Sequence, residues 1–213
     1  METVSIACAP NLSGIIEEII DNFEDKSVSF ELTIGENCNV YYQEILKGKK
    51  YDIFLSADEK SADDLVSLNL ASTSEVYAKG KLCLWSFENK IPEISTAKIA
   101  LPDPNIAPYG KAAFEYLENT KLMDLVKNNL LFGKSPFEVS RLVLEHIAQV
   151  AFLPVSFVKS ALKDNNFKIL ENSYFPVIQK CVLLSKDNKK AQEFFDFLIN
   201  SKRSKQILNS FGF

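Results

Sequence analysis

Val4-Ser5-Ile6-Ala7-Cys8-Ala9 is an apolar-rich run of strand length, and the chain leaves it through Pro10-Asn11-Leu12-Ser13-Gly14. A short run bounded by Pro and Gly reads as a buried strand. Ile15, Ile16, Ile19, Ile20 and Phe23 then recur at helical spacing, with Glu17 and Glu18 early in the helix, where its dipole favours negative charge. Ser29 to Ile34 reads as a second strand. The polar loop Gly35-Glu36-Asn37-Cys38-Asn39 leads into a helix carrying Val40, Tyr41, Ile45 and Leu46 and closed by Gly48. Tyr51-Asp52-Ile53-Phe54-Leu55-Ser56 is a third strand. Strand, helix, strand, helix, strand predicts a parallel sheet with helices on its faces.

Beyond this stretch the pattern changes. Gly80 to Phe87 reads as one long strand and Lys98 to Leu101 as another. The proline-rich loop from Pro102 to Gly110 precedes a helix with Ala112, Ala113, Tyr116 and Leu117. Leu130-Leu131-Phe132 is a strand. Ser135-Pro136-Phe137-Glu138 has the form of a helix start, with Ser as N-cap, Pro at the first helical position and Glu three residues after the cap. Val150 to Leu153 and Val177 to Leu184 are further strands, and Lys189 to Leu208 is a terminal helix with Phe194, Phe195, Leu198 and Ile199 on one side. The expected organisation is two lobes, lobe I from residues 1–79 and 186–213 and lobe II from 80–185. The long strands near 81–86 and 177–184 are expected to cross between them as a hinge.

Composition narrows the function. The chain has 213 residues, 46% of them hydrophobic and 24% charged, enough for two lobes of about 100 residues each. The net charge is −4 and no basic run exceeds Lys49-Lys50 or Lys189-Lys190, which argues against a nucleic-acid partner. No segment approaches the roughly 20 apolar residues of a membrane span. Met1-Glu2-Thr3 runs straight into the first strand, with neither a basic n-region nor a cleavage site, so no signal peptide is read in this chain. Cys8, Cys38, Cys83 and Cys181 are scattered, and with His146 as the single histidine no metal site built from side chains is expected. Cys8, Cys83 and Cys181 read as buried apolar thiols.

In open α/β sheets ligands bind beyond the carboxyl ends of the strands, where loops lead into helices. Four such turns stand out: Pro10-Asn11-Leu12-Ser13, Asn37-Cys38-Asn39, Pro108-Tyr109-Gly110 and Ser135-Pro136-Phe137. All are poor in cations. Helix starts offer unpaired N–H groups and a partial positive charge, so several together make an anion site without Lys or Arg; taken singly each is an ordinary cap. Catalytic patterns are missing: there is no Gly-x-Ser-x-Gly elbow and no P-loop, His146 sits in an apolar run, and Asp52 and Asp58 read as structural, Asp58 capping the following helix. One of Tyr41 and Tyr42 is expected to face the core.

Tyr51-Asp52-Ile53-Phe54-Leu55-Ser56-Ala57-Asp58, Val76-Tyr77-Ala78-Lys79-Gly80-Lys81-Leu82 with Trp85-Ser86, and Asp103-Pro104 followed by Ala107-Pro108-Tyr109-Gly110-Lys111-Ala112-Ala113 resemble, in order and spacing, segments of the periplasmic molybdate- and tungstate-binding proteins of bacterial ABC importers. Ala9-Pro10-Asn11-Leu12 and Val150 to Ser156 fit the same pattern. The resemblance implies a two-lobed, type II periplasmic binding protein fold in which each lobe is a mixed sheet flanked by helices. It implies a non-enzymatic, monomeric receptor without a cofactor, its signal peptide removed. Such a receptor captures a molybdate or tungstate oxyanion in the interlobe cleft through neutral donors and delivers it to a permease in the inner membrane.

Carried over residue by residue, the resemblance assigns ligand-binding positions to Pro10, Asn11, Asn37, Cys38, Tyr109, Pro136 and Phe137. Several depart from the family's pattern. Asn37-Cys38-Asn39 stands where the family has Ser-Ser-Gly, exchanging a hydroxyl for a weak thiol donor. Pro136 has no N–H, so Phe137 or the Ser135 hydroxyl must serve instead. Pro10 removes a further donor, and Pro154 stands where some members have a tyrosine. These departures keep open a diverged binding protein for another anion or small organic acid, and the lack of a readable signal peptide permits a ligand-sensing module.

Overall fold

The computed structural model describes residues 2–88 and 90–213; Met1, the first residue of the expected lobe I, lies outside them. Strand β1 (Glu2–Cys8) leads through a 3-10 turn (Pro10–Leu12) to helix α1 (Ile15–Asp21), followed by β2 (Val28–Ile34), α2 (Cys38–Leu46), β3 (Ile53–Ser56), α3 (Glu59–Ser67) and β4 (Thr73–Gly80). Next come β5 (Leu82–Trp85), β6 (Ile99–Pro102), α4 (Pro108–Asn119), α5 (Met123–Val126), β7 (Leu130–Gly133), α6 (Pro136–Leu144) and β8 (Val150–Pro154). A short helix α7 (Val155–Phe157) runs into a π-helical turn (Val158–Leu162) and is followed by β9 (Phe167–Ile169), β10 (Val177–Leu183), α8 (Lys189–Asn200) and α9 (Lys202–Ser210). None of these helices is long and apolar enough to cross a membrane.

The chain divides into two compact units, Met1–Lys79 with Ile178–Phe213, and Gly80–Val177. Each holds a five-stranded mixed sheet with helices packed on it, as the family resemblance implies. In the first unit the strand order is β2-β1-β3-β10-β4. β1 runs parallel to both neighbours, with Cys8 opposite Ile34 on one side and Leu55 on the other, so three carboxyl ends finish level. Asp52 fixes the start of β3 to β1 by accepting the Ser5 N–H (2.8 Å) and hydroxyl (2.9 Å). One face is covered by α1, α8 and α9, where Phe23 packs edge-on against Phe30, Phe194 and Phe197.

In the second unit the order is β7-β6-β8-β5-β9, with β6 parallel to β7 and β8 and β5 antiparallel to β8 and β9. Trp85, Val139, Val143, Leu153 and Phe157 share one core with Cys83. Trp85 satisfies its indole N–H on Asp164 (2.8 Å).

The structure revises several expectations. The return to the first unit falls at Ile178, not 186, because Lys180–Leu183 of β10 hydrogen-bond antiparallel to Ile53–Ser56 of β3. Neither long strand spans both sheets. Residues 73–85 form two strands, β4 in the first sheet and β5 in the second, and β10 lies in the first. β4 and β9 were not foreseen. The terminal helix is two helices, broken where Ser201 adopts an extended backbone (φ −71°, ψ 141°) and its hydroxyl caps α9 by accepting the Ser204 N–H (2.9 Å). His146 lies past the end of α6, exposed and in the left-handed region (φ 58°), beside the Phe87 ring.

Candidate functional site

In the first unit the strand order reverses between β1 and β3, the place where open α/β sheets bind ligands. Ala9 N–H bonds to Leu55 O (3.0 Å), so the turn begins tied to β3. Pro10 then opens a 3-10 turn, with Leu12 N–H on Ala9 O (3.1 Å). Asn11 is buried, and its amide donates to the side-chain oxygen of Gln179 in β10 (3.0 Å). Asn37 caps α2 by accepting the Val40 N–H (3.2 Å). Cys38, the first residue of α2, is buried; its sulfur accepts the N–H of Ala57 at the end of β3 (3.2 Å). Burial raises the Cys38 thiol above its usual range, outweighing the opposing Ala57 N–H, so the group is protonated at neutral pH.

Side chains cap α2, α3, α8 and α9 in this unit, whereas the 3-10 turn at Pro10 has no capping side chain. Glu17 accepts the Gly14 N–H ahead of α1 (2.8 Å). Asp58 caps α3 by accepting the N–H groups of Lys60 (3.3 Å) and Ser61 (3.2 Å) and the Ser61 hydroxyl. Lys180, a buried cation of β10, pairs with Asp63 (2.5 Å) and lies 3.8 Å from Glu59. Its ammonium holds the Asp63 carboxyl below the usual carboxylate range, so that charge is compensated within the unit.

In the second unit the reversal lies between β6 and β8. The turn after β6 is held by Asp103 N–H on Gly133 O (2.9 Å) and leads to α4, whose N-cap Ala107 has no capping side chain. Tyr109, in the first turn, is buried. Gly110 rests on the end of β6 so closely that a Cβ there would overlap the Pro102 carbonyl, which explains glycine after Ala-Pro-Tyr. At α6, Ser135 accepts the Glu138 N–H (3.4 Å) while the Glu138 carboxylate accepts the Lys134 N–H (2.8 Å). Pro136 is buried and has no N–H. The Phe137 N–H lies in the first turn, beyond reach of the helix's own carbonyls. The Phe137 ring meets Phe157 edge-on at 4.8 Å, bringing the starts of α6 and α7 together.

Pro10, Asn11, Asn37 and Cys38 therefore stand at the carboxyl end of one sheet, and Tyr109, Pro136 and Phe137 at that of the other. Sequence reasoning missed three roles. Gln179, which holds Asn11, lies 168 residues away; a polar residue inside an apolar strand was its only signal. The Cys38 sulfur acts as an acceptor, where the family pattern suggested a donor. Ser156, two residues past β8, has a buried hydroxyl with no hydrogen-bond partner among the described residues. Leaving such a group unsatisfied costs about 1–3 kcal/mol. Its signal was the match of Val150 to Ser156 to the family pattern.

The cysteines of the described residues are all free and buried, and burial raises the thiols of Cys8, Cys83 and Cys181. No group of three or more His, Cys, Asp or Glu among the described residues is placed to hold a metal ion.

Residues 4–213 match the family described as bacterial extracellular solute-binding protein. The chain is 26% identical over 225 residues to the molybdate-binding protein ModA of Azotobacter vinelandii, covering 99% of this chain and 89% of that protein. The solved structure of the periplasmic molybdate-binding protein of Azotobacter vinelandii superposes with a TM-score of 0.86 at 23% identity, covering 98% and 97% of the two chains. The substrate-binding domain of a Clostridium difficile protein described as a molybdenum ABC transporter gives a TM-score of 0.75 at 25% identity, covering 100% and 98%. These likenesses establish the two-lobed, type II periplasmic binding protein fold.

Proposed function

The chain belongs to the family of bacterial extracellular solute-binding proteins, and from that premise we propose that it captures molybdate or tungstate on neutral hydrogen-bond donors and delivers it to an ABC-transporter permease. The observation that carries the reading is the character of the helix starts at the two strand-order reversals. Their buried residues Pro10, Asn11, Cys38, Tyr109, Pro136 and Ser156 are all uncharged. First-turn N–H groups and the helix dipoles hold a dianion without a cation. A site of donors alone favours an anion that carries no proton, and on this reading molybdate and tungstate are told from the smaller sulfate by size.

Candidate donors lie within each unit taken by itself. In the first these are first-turn N–H groups beside Asn11 and Cys38; in the second, those of Tyr109, Gly110 and Phe137. The protein acts by binding alone, as a monomer in the periplasm. A second reading, a small organic acid or another anion, is favoured by two observations: Pro136 lacks an N–H, and the Cys38 sulfur is engaged with Ala57.

Calorimetric titration of the ligand-free protein with molybdate, tungstate and sulfate in parallel tests the proposal. Submicromolar binding of the metal oxyanions, with sulfate at least about 100-fold weaker (about 2.7 kcal/mol), is the expected result. Sulfate binding as tight as molybdate, or no binding of either metal oxyanion, overturns it in favour of the second reading.

A further inference from the structure

Ser156 is buried, with 3% of its surface exposed, and its hydroxyl meets no hydrogen-bond partner among the described residues. Its carbonyl is engaged, accepting the Ser160 hydroxyl at 2.8 Å. Buried hydroxyls are almost always satisfied, and one that is not calls for an unseen partner. Ser156 follows β8 by two residues, beside the reversal between β6 and β8. The corresponding residue of the first unit, two past the end of β3, is Asp58, whose carboxylate is fully engaged in capping α3. A carboxylate at that place in the second unit would repel an anion, whereas a hydroxyl donates to one.

We infer that the Ser156 hydroxyl is a ligand-binding donor to the captured oxyanion, standing in for the N–H that Pro136 lacks. The inference rests on the oxyanion reading above. It extends the neutral donor set to a side chain outside the ligand-binding positions that the family resemblance assigns. It also gives the buried hydroxyl a hydrogen-bond partner in the anion.

The test compares wild type, Ser156→Ala and Ser160→Ala by molybdate calorimetry and by thermal unfolding without ligand. Ser156→Ala is expected to weaken molybdate binding about 10- to 100-fold, the loss of one hydrogen bond to a charged acceptor, with a ligand-free melting temperature no lower than wild type. Ser160→Ala, which removes a satisfied hydrogen bond one turn on, is expected to lower the melting temperature and leave affinity within about twofold. Unchanged affinity in Ser156→Ala overturns the inference while the oxyanion reading stands. So does a melting temperature that falls as far as in Ser160→Ala, which marks a structural hydroxyl. Absence of molybdate and tungstate binding by wild type sinks the underlying reading and the inference with it.

Discussion

The two units solve the same folding problem and then diverge at their strand ends. Both set three parallel strands beside an antiparallel one, in the orders β2-β1-β3-β10 and β7-β6-β8-β5, so each places its strand-order reversal after equivalent strands. In the first unit Asn37 and Asp58 cap α2 and α3, and Glu17 accepts the Gly14 N–H ahead of α1. In the second only α6 has a side-chain cap: α4 begins at Ala107 with none, and the Ser156 hydroxyl next to α7 is unsatisfied. Identical topology therefore leaves the anion-holding capacity of the strand ends to individual side chains. The first unit meets more of its helix-start N–H groups with its own side chains, and the second leaves α4 and α7 without a capping side chain.

The largest predicted effect lies in the second unit. Gly110→Ala forces a Cβ onto the Pro102 carbonyl, which is backbone and cannot move aside cheaply; a loss of about 3 kcal/mol or more is expected. Urea unfolding followed through Trp85, the single tryptophan and a residue of β5, reads that loss directly. Next, the equivalent positions should behave oppositely. Asp58→Ala removes a working cap and is expected to cost about 1–2 kcal/mol in thermal unfolding, against none for Ser156→Ala. Equal losses at the two positions would erase the contrast.

Acid provides a third, smaller test. In the first unit Lys190 holds the Asp25 carboxyl, Lys49 that of Glu44 and Lys180 that of Asp63 below the usual carboxylate range. In the second, Asp164 alone shows such a lowering among the described residues: burial pushes it up, but the Asn166 and Trp85 N–H groups outweigh that. A carboxyl whose pKa is depressed on folding adds stability that is complete above about pH 4 and lost as pH falls toward the lowered value. Lowering the pH from 5 to 3 should reduce amide protection factors, taken relative to the intrinsic exchange rate at each pH, in the first unit before the second, and less so at high salt, because the carboxylates of these pairs are partly exposed. Smallest of all, Cys38→Ser should change stability by less than about 1 kcal/mol, since a hydroxyl accepts the Ala57 N–H as the sulfur does. Its hydroxyl is a better donor than a thiol, so molybdate affinity should rise a few-fold by calorimetry.

The first half of the first unit was legible because its apolar residues switch cleanly between strand and helix spacing. The Ser135-Pro136-Phe137-Glu138 start and the Asp58 cap were also readable, since capping is local chemistry. β4 and β9 escaped because they hold exposed, polar positions such as Glu75, Lys79 and Lys168 that blur the alternation. The break at Ser201 was hidden by helical spacing that continues on both sides of it. β10 was placed in the wrong unit because strand pairing depends on partners more than 120 residues away in sequence, here β3. The candidate site was legible as a set of turns and not as a set of satisfied and unsatisfied groups. The bonds of Asn11 to Gln179 and Cys38 to Ala57 are long-range, and the absence of a partner for Ser156 is a property of the packed fold.

The central claim, that neutral groups at the helix starts hold the anion, is tested most directly by amide hydrogen exchange with and without saturating molybdate. The account predicts new protection concentrated at residues 9–13, 37–40, 107–111, 135–138 and 154–157, strongest in the last three segments of the second unit. Protection elsewhere, for instance on the outer face of α4 around Phe114 and Phe132, with these segments unchanged, would contradict it.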